Sequence, residues 1–364
     1  MSDVSQFVLD LQDNDGPDFY DTESTTFGAV VSDYIAGLDN SSGGGNGNTQ
    51  VKTRKTNGIS LLNDTGSDAS DGITNDATVL IKTRKEGWTF SWKAVRTNKD
   101  GTVDAPLTGD TMGAMTADAG LLSTSDGKNY VLDLKGKADG LWTVTIEHYN
   151  KNGRLQKQSS MDFVLDTVVD KVRPDLARDT GRSNTDKITN DGSISLLAEK
   201  GATIYYMMGK QNDKPSDYAL TAWQIWDASN PPNASDLGFS QGSNKVWFYQ
   251  VDKAGNVSDF NNINFIYKTQ IQKTGVGLSQ DTGRYKDDGI TNNARIDVSG
   301  IEDTSTVQYS VNGGDFSDDY NPVQGANTVI VRQTDIAGNI SDAVLSFTYK
   351  SHANAVRGNL KNDT

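Results

Sequence analysis

From Val51 onward, apolar and polar residues alternate with a period of two in short runs bounded by Gly, Asn and Asp. Trp88 to Val95 sets rings and aliphatic side chains against polar ones, and Leu141 to Glu147 repeats the rhythm after the turn Ala138-Asp139-Gly140. The same alternation marks Thr203 to Tyr206, Lys245 to Val251, Val307 to Val311, Thr328 to Gln333 and Val344 to Tyr349. A period of two places every second side chain on one face of a half-buried strand. No stretch carries the 3.6-residue spacing of an amphipathic helix. Short strands separated by turn residues predict an all-β chain of sandwiches.

One stretch recurs. Asp64-Thr65-Gly66 leads to Asp71-Gly72-Ile73-Thr74-Asn75-Asp76, Asp179-Thr180-Gly181 leads to Asp186-Lys187-Ile188-Thr189-Asn190-Asp191, and Asp281-Thr282-Gly283 leads to Asp288-Gly289-Ile290-Thr291-Asn292-Asn293. Leu360 to Thr364 opens a fourth copy. A second signal, Asp252-Lys253-Ala254-Gly255-Asn256-Val257-Ser258, returns as Asp335-Ile336-Ala337-Gly338-Asn339-Ile340-Ser341. Each copy lies between two strand patterns and reads as the turn of a last hairpin. The first repeat has only the echo Asn150-Lys151-Asn152-Gly153. Repetition at domain-length intervals is the mark of an array. The expected organisation is an N-terminal acidic and Gly-rich segment (1–50), three repeats (51–166, 167–268 and 269–350), and a linker with the start of a truncated repeat (351–364). The second repeat carries a Trp- and Pro-bearing insertion from about Gln211 to Ser240.

The N-terminal segment differs in kind. Asp10 to Asp21 is acidic, and Asn40 to Asn48 is a run of Gly, Ser and Asn that reads as flexible linker, so most of 1–50 is expected to lack order. Asp13-Asn14-Asp15-Gly16 fails as an EF-hand loop, because loop positions one and twelve fall on Leu11 and Thr22. With 364 residues and a formal charge of -14, the chain has room for several cores and repels nucleic acid and anionic membrane surfaces. The acidic excess suits hard divalent cations, which take oxygen ligands. Two His and no Cys leave little for zinc, copper or disulfides. No apolar run spans a membrane, and no cleavable signal peptide is visible at the N-terminus. The basic runs Lys52 to Lys55 and Lys82 to Lys85 read as solvated strand edges.

These motifs, with Ala138-Asp139-Gly140-Leu141-Trp142-Thr143-Val144 and the linker Leu165-Asp166-Thr167 followed by Arg173-Pro174, resemble the bacterial immunoglobulin-like repeats of giant surface adhesins exported by type I secretion systems. The resemblance covers about residues 51 to 364. It implies three tandem immunoglobulin-like, seven-stranded sandwiches joined end to end into an elongated chain, with calcium near the junctions. It also implies a secreted or cell-surface spacer that holds a binding tip away from the cell, without catalysis. The partners it implies are neighbouring repeats of a monomeric chain, and glycans or proteins of a host or biofilm. Two places depart from the pattern: the first repeat lacks the Ala-Gly-Asn hairpin, and the linker Lys268 to Lys273 has no aspartate.

The candidate chemistry lies in the repeated aspartates. Asp-Thr-Gly is also an aspartic protease signature, but such enzymes bring two copies into one dyad. Here Asn63, Arg178 and Gln280 precede the aspartates instead of an apolar residue, and copies at domain-length intervals cannot form one dyad. One reading makes the aspartates Asx turns. The other gives them a shared Ca2+, since two carboxylates at fixed separation with a further acidic residue at Asp76 or Asp191 supply about half of a calcium shell. Sandwich topology places the first-strand loop of one repeat opposite the last hairpin of the next. The expected metal ligands are therefore Asp64 and Asp71 with Asp252, helped by Asp166 or Asp170, and Asp179 and Asp186 with Asp335. Asp281 and Asp288 are expected to be half-coordinated, and the junction whose linker lacks an aspartate to be the weaker. Trp223 and Trp226 form a candidate carbohydrate or receptor platform on the second repeat, the basis of an alternative lectin-like reading. His148 and His352 have no evident metal or nucleophile partner and are assigned surface or strand roles.

Overall fold

The computed structural model describes residues 58–82, 88–98, 100–110, 122–124, 129–209, 214–219 and 222–351. Asp13 to Gly16, Lys52 to Lys55, His352 and the opening of the fourth copy lie outside them. Every regular element among the described residues is a strand. No helix among them is long and apolar enough to cross a membrane. The chain divides into two compact units. One holds the described residues up to Lys171 together with Ala198–Thr203 and Gln250–Asp259, and the other holds the rest.

In the first unit a four-stranded sheet runs in the order Ile59–Leu61, Thr78–Lys82, Asn129–Asp133, Leu122–Thr124. A five-stranded sheet runs Ile73–Thr74, Leu155–Leu165, Gly140–Tyr149, Thr89–Thr97, Leu107–Asp110. Ile59, Val79, Ile81 and Leu132 from one sheet and Phe90, Trp92, Trp142, Val144, Ile146 and Phe163 from the other close into a single core. The alternation of Gly140–Tyr149 is strict: every second residue is buried, through His148. Of the surface and strand roles expected for His148 the second holds: it is a buried strand residue, 6.2 Å from Phe90 between ring centroids. The echo at Asn150-Lys151-Asn152-Gly153 is the turn of this sheet's long hairpin, with the Asn150 amide donating to the Arg154 carbonyl at 3.0 Å.

The second unit carries two further sheet pairs. Arg173–Leu176 pairs with Ile194–Leu197, beside most of a five-stranded sheet ordered Ile188–Thr189, Asn261–Tyr267, Gly242–Val251, Thr203–Gly209, Gln224–Ile225. Gly275–Leu278 pairs with Ile296–Ser299, beside a four-stranded sheet ordered Ile290–Thr291, Ile340–Tyr349, Gly325–Thr334, Thr306–Val311. Val329, Val331 and Phe347 centre the last core, with Val276, Leu278, Ile296 and Val298 packed on them from the facing sheet. Strand numbers therefore vary among the three sandwiches, where the resemblance implied seven throughout.

In Gly242–Val251 the alternation breaks: Val246, Trp247, Phe248 and Tyr249 are all buried. The insertion supplies the reason. Trp226 stands edge-on against Tyr206 and Phe248, with centroids 5.5 and 5.6 Å away, and its amide donates to the Ile204 carbonyl. Trp223 is half-buried against Tyr249 and Phe260. The insertion folds back onto its own sandwich.

In all three sandwiches the Ile-Thr of the repeated motif forms a two-residue strand parallel to the end of the last strand: Ile73–Thr74 on Val164–Leu165, Ile188–Thr189 on Ile266–Tyr267, Ile290–Thr291 on Thr348–Tyr349. The threonine is fully buried in each copy. Its hydroxyl ties the turn together: Thr291 Oγ1 donates to the Gln280 carbonyl at 2.8 Å and accepts from the Asn293 amide at 2.9 Å. Thr291→Val keeps the shape and strands these buried groups, a loss of about 1–3 kcal/mol. Urea denaturation should show it as a fall in midpoint without a change in slope.

Candidate functional site

Both aspartates of the motif are held by its own backbone. Asp64, Asp179 and Asp281 each accept, on Oδ2, the amide eight residues on, from Gly72, Lys187 and Gly289 at 3.1, 2.8 and 2.9 Å. Asp71, Asp186 and Asp288 accept the amides of Ile73, Ile188 and Ile290 two residues on, as Asx turns do. Asp76 is committed to Asn63 and Thr78, and Asp191 to the Ser193 amide. One oxygen is left over in every copy. The Oδ1 atoms of Asp64, Asp179 and Asp281 are buried and carry no hydrogen bond. Burial lifts the Asp64 carboxyl above its ordinary value. Asp71 is pushed to about 6 by burial, opposed by the Ile73 amide and Lys253 and helped by the nearby Asp64 and Asp68.

The rest of the motif is a socket. Thr65 Oγ1 donates to the Ala254 carbonyl at 2.6 Å and Thr180 Oγ1 to the Ala337 carbonyl at 2.7 Å. Asn75 and Asn190 donate from their side chains to Asn256 and Asn339, at 3.2 and 3.3 Å. Each Asp-x-Ala-Gly-Asn turn is therefore seated in the Asp-Thr-Gly turn of the preceding sandwich, with Ala254 and Ala337 buried in the contact. Here glycine is required twice over. Gly66 and Gly181 sit at φ 95°, and a Cβ built on them would lie 1.9 Å from the Lys253 carbonyl oxygen and 2.0 Å from that of Ile336. The joint is backbone against backbone.

Seating the hairpin gathers acids at the first joint. Asp252 caps its own turn, accepting the Asn256 amide at 2.8 Å and its side chain at 2.7 Å. That side chain also reaches the Asp166 carbonyl at 2.8 Å. Buried Gln250 holds the Glu199 amide at 2.9 Å and donates to the Asp170 carbonyl at 2.7 Å. The result is a group of three carboxylates, Asp166, Glu199 and Asp252, with ligand oxygens all within 4.8 Å of one another. Among the described residues it is the one such group of three. Asp166 and Asp252 are buried, and Glu199 is pushed up to about 7 by burial first and then by Asp166, Asp252 and Asp170. An all-oxygen anionic set of this kind fits a hard divalent cation.

The second joint repeats the framework with a different charge. Asp335 accepts the Asn339 amide and side chain at 2.8 and 2.9 Å, and Gln333 holds the Glu302 amide at 2.6 Å. Lys268 Nζ lies 3.0 Å from Glu302 Oε2 and 2.5 Å from Asp335 Oδ2. Burial draws the Lys268 pKa down, but its bonds to Asp335 and Glu302 outweigh that and hold it above the ordinary value. Burial likewise opposes, and the Lys268 and Asn339 bonds reverse, the shift of Asp335, which ends below the ordinary value.

Of the expected ligands, then, Asp166 and Asp252 converge, joined by Glu199, which the sequence reading missed. Its counterpart is Glu302, whose amide Gln333 holds as Gln250 holds that of Glu199, a match visible only once the two joints are superposed. Asp64 and Asp71 stay in their turn outside that group. Asp179 and Asp186 stay in theirs, while Asp335 turns to Lys268. Asp281 and Asp288 repeat the same turn bonds. The linker without an aspartate, expected to make this junction the weaker, sets its first residue, Lys268, against Glu302 and Asp335. Of the proposed platform, Trp226 is buried and Trp223 half-buried.

No known family's sequence profile matches the chain. No curated protein matches it either. Among solved structures, it is similar to a tetra-tandem repeat from the extending region of a large adhesion protein, with 16% identity and a TM-score of 0.26 over 80% of this chain and 74% of that one. It is similar to a structure from a 1.5-MDa bacterial ice-binding adhesin, with 16% identity and a TM-score of 0.29 over 82% and 98%. A third is the BSP domain of a biofilm-associated protein, with 12% identity and a TM-score of 0.21 over 82% and 69%.

Gly181→Ala should unseat the second joint, whereas Gly283→Ala, whose Cβ would meet only the Ile290 carbonyl at 3.9 Å, should cost no more than its left-handed backbone, about 1–2 kcal/mol. Limited proteolysis at the joints, alongside thermal melting, separates the two. The second joint should also have a broad pH plateau. Asp335, depressed in the fold, contributes above its unfolded value of 3.8 and loses that contribution as pH falls through its folded value. Lys268, raised in the fold, contributes fully below 10.5 and loses it as pH rises through its folded value. Protection of the Asp335 to Ser341 hairpin should be flat across neutral pH and fall at both extremes.

Proposed function

We propose that this chain is a structural spacer of a bacterial cell-surface adhesin, a run of immunoglobulin-like sandwiches whose joints are seated rather than flexible, with Ca2+ held at the first joint. One observation carries the reading. The same hairpin enters the same motif twice, by the same threonine, glycine and asparagine contacts, and such a joint serves to fix one sandwich on the next. The motif's aspartates each accept an amide of their own turn. The first two Asp-Thr-Gly copies seat different hairpins and the third meets none among the described residues, so no two of them share a dyad there.

Asp166, Glu199 and Asp252 would hold the cation. Calcium would place a positive charge at the centre of this oxygen set, and it takes six to eight oxygens in flexible geometry that side-chain and main-chain groups can fill. Secretion to a cell surface accords with this, because calcium is abundant there and an absence of cysteine leaves metals as the available staple. The resemblance to type I-secreted adhesin repeats supports the same assignment.

Calcium binding to the folded form should stabilise it by about 2.7 kcal/mol at one hundred times the dissociation constant. Differential scanning calorimetry of the full chain should show a higher melting temperature in calcium than in EDTA. Glu199→Gln, isosteric and still able to accept from its neighbours, should melt at one temperature in both. Equal calcium responses in the two proteins would defeat the assignment.

A further inference from the structure

The residue that leaves each sandwich is fixed by one bond. The amides of Asp166, Lys268 and Lys350 donate to the carbonyls of Thr74, Thr189 and Thr291, at 3.0, 2.9 and 2.8 Å. Asp166 and Lys268 therefore hold equivalent places at the two joints. Each also offers its carbonyl to the hairpin asparagine, Asn256 or Asn339, at 2.8 Å. Their acidic neighbours are equivalent as well. Glu199 and Glu302 hang from buried glutamines, Gln250 and Gln333, and Asp252 and Asp335 cap the seated turn. Against this common backbone the exit side chain is opposite in charge: a carboxylate at the first joint, an ammonium at the second.

The ammonium is fully used. Lys268 Nζ donates to Asp335 Oδ2 at 2.5 Å, to the Gln270 carbonyl at 2.6 Å and to Glu302 Oε2 at 3.0 Å, one oxygen for each of its three hydrogens. Asp335 is closed from solvent, with a side-chain exposure of 0%. Two carboxylates and a carbonyl arranged around a positive centre are what a cation site offers, and here the positive centre is covalently part of the chain.

We propose that Lys268 is a tethered cation that takes, at the second joint, the place a divalent cation takes at the first, so that divalent cations govern the first joint and have no site in the second. For the first joint this rests on the calcium reading above. The physical difference is one of mass action. A free ion holds a joint only when its concentration exceeds the dissociation constant, whereas a tethered ammonium is present at fixed stoichiometry. A divalent ion entering the second joint would meet the ammonium at hydrogen-bonding distance from its own ligands, and like charges so placed repel. The identity of the exit residue thus decides whether a joint is conditional or permanent.

Hydrogen exchange read by mass spectrometry on the full chain reports each hairpin separately. In the wild type, replacing calcium with EDTA should speed exchange of the Asp252 to Ser258 hairpin by about tenfold or more and leave Asp335 to Ser341 unchanged. Lys268→Met should speed exchange at Asp335 to Ser341 equally in calcium and in EDTA. Lys268→Asp, which rebuilds the first joint's three carboxylates, should make that hairpin loose in EDTA and tight again in calcium. A wild-type second hairpin that follows calcium as the first does overturns the proposal. So does a Lys268→Met chain that stays protected, or a Lys268→Asp chain indifferent to calcium. A first hairpin indifferent to calcium defeats the reading of the first joint instead, and Lys268→Met still decides the role of the ammonium.

Discussion

Two glycine turns pressed together are the constraint on which the rest of the structure depends. Gly66 and Gly255, and Gly181 and Gly338, approach so closely that a Cβ on either second glycine would lie within 2.8 to 3.1 Å of the first one's amide or α-carbon. At that distance no side chain separates the two sandwiches, so their backbones must satisfy each other. A threonine hydroxyl and an asparagine amide do this, reaching a carbonyl and a side-chain oxygen that solvent no longer serves. Buried polar groups left without such partners would cost more than the apolar contact gains. Turn, threonine and asparagine are thus one device, and the sequence repeats them together for that reason.

Close approach has an electrostatic consequence. The hairpin that enters the socket brings a capping aspartate with it, and the residue leaving the preceding sandwich and a glutamate from the next lie beside that aspartate. Three acids brought within 4.8 Å repel, and their burial removes the water that would screen them. A positive centre resolves this whether it arrives as an ion or is built in as Lys268. The same frame with opposite charges at one position, Asp166 and Lys268, shows that shape and charge are settled separately here. Backbone complementarity seats the hairpin, and the exit side chain balances the charge.

Much of the fold was legible in the alternation, because a strand with one face in a core must alternate. Gly140–Tyr149 follows it residue by residue, with the His148 imidazole in a buried position where a valine would serve. The strand pattern of Lys245 to Val251 lies within the strand Gly242–Val251, yet its continuous burial could not be foreseen without the insertion that covers it. At the joints, the sequence showed which turn meets which, since topology alone puts them at facing ends. It did not show which atoms meet. The aspartates drew attention as charges, but short side chains in turns bond first to the nearest amides, and those are their own. Glu199 lies before its strand with no motif around it, and Lys268 looked like a missing ligand because a lysine opposite acids is recognised as a partner only when the chain is folded.

The third copy of the motif separates what belongs to the turn from what belongs to the joint. Around Thr282 and Thr291 the internal bonds match those of the first two copies, although a Cβ on Gly283 would meet only its own motif among the described residues. The turn bonds are thus the same in a copy that meets no hairpin among the described residues as in the two that do. The buried, unbonded Oδ1 of Asp281 is present in this copy just as in Asp64 and Asp179. Its demand for a positive partner arises within the turn and is the same with or without a neighbour. The demand of Asp166, Glu199 and Asp252 is of another kind, because it exists only once the hairpin is seated and the acids of two sandwiches are side by side. A cation bound there is linked to docking and shifts it, while one bound beside the turn aspartates would stabilise a single sandwich and leave the joint as it was.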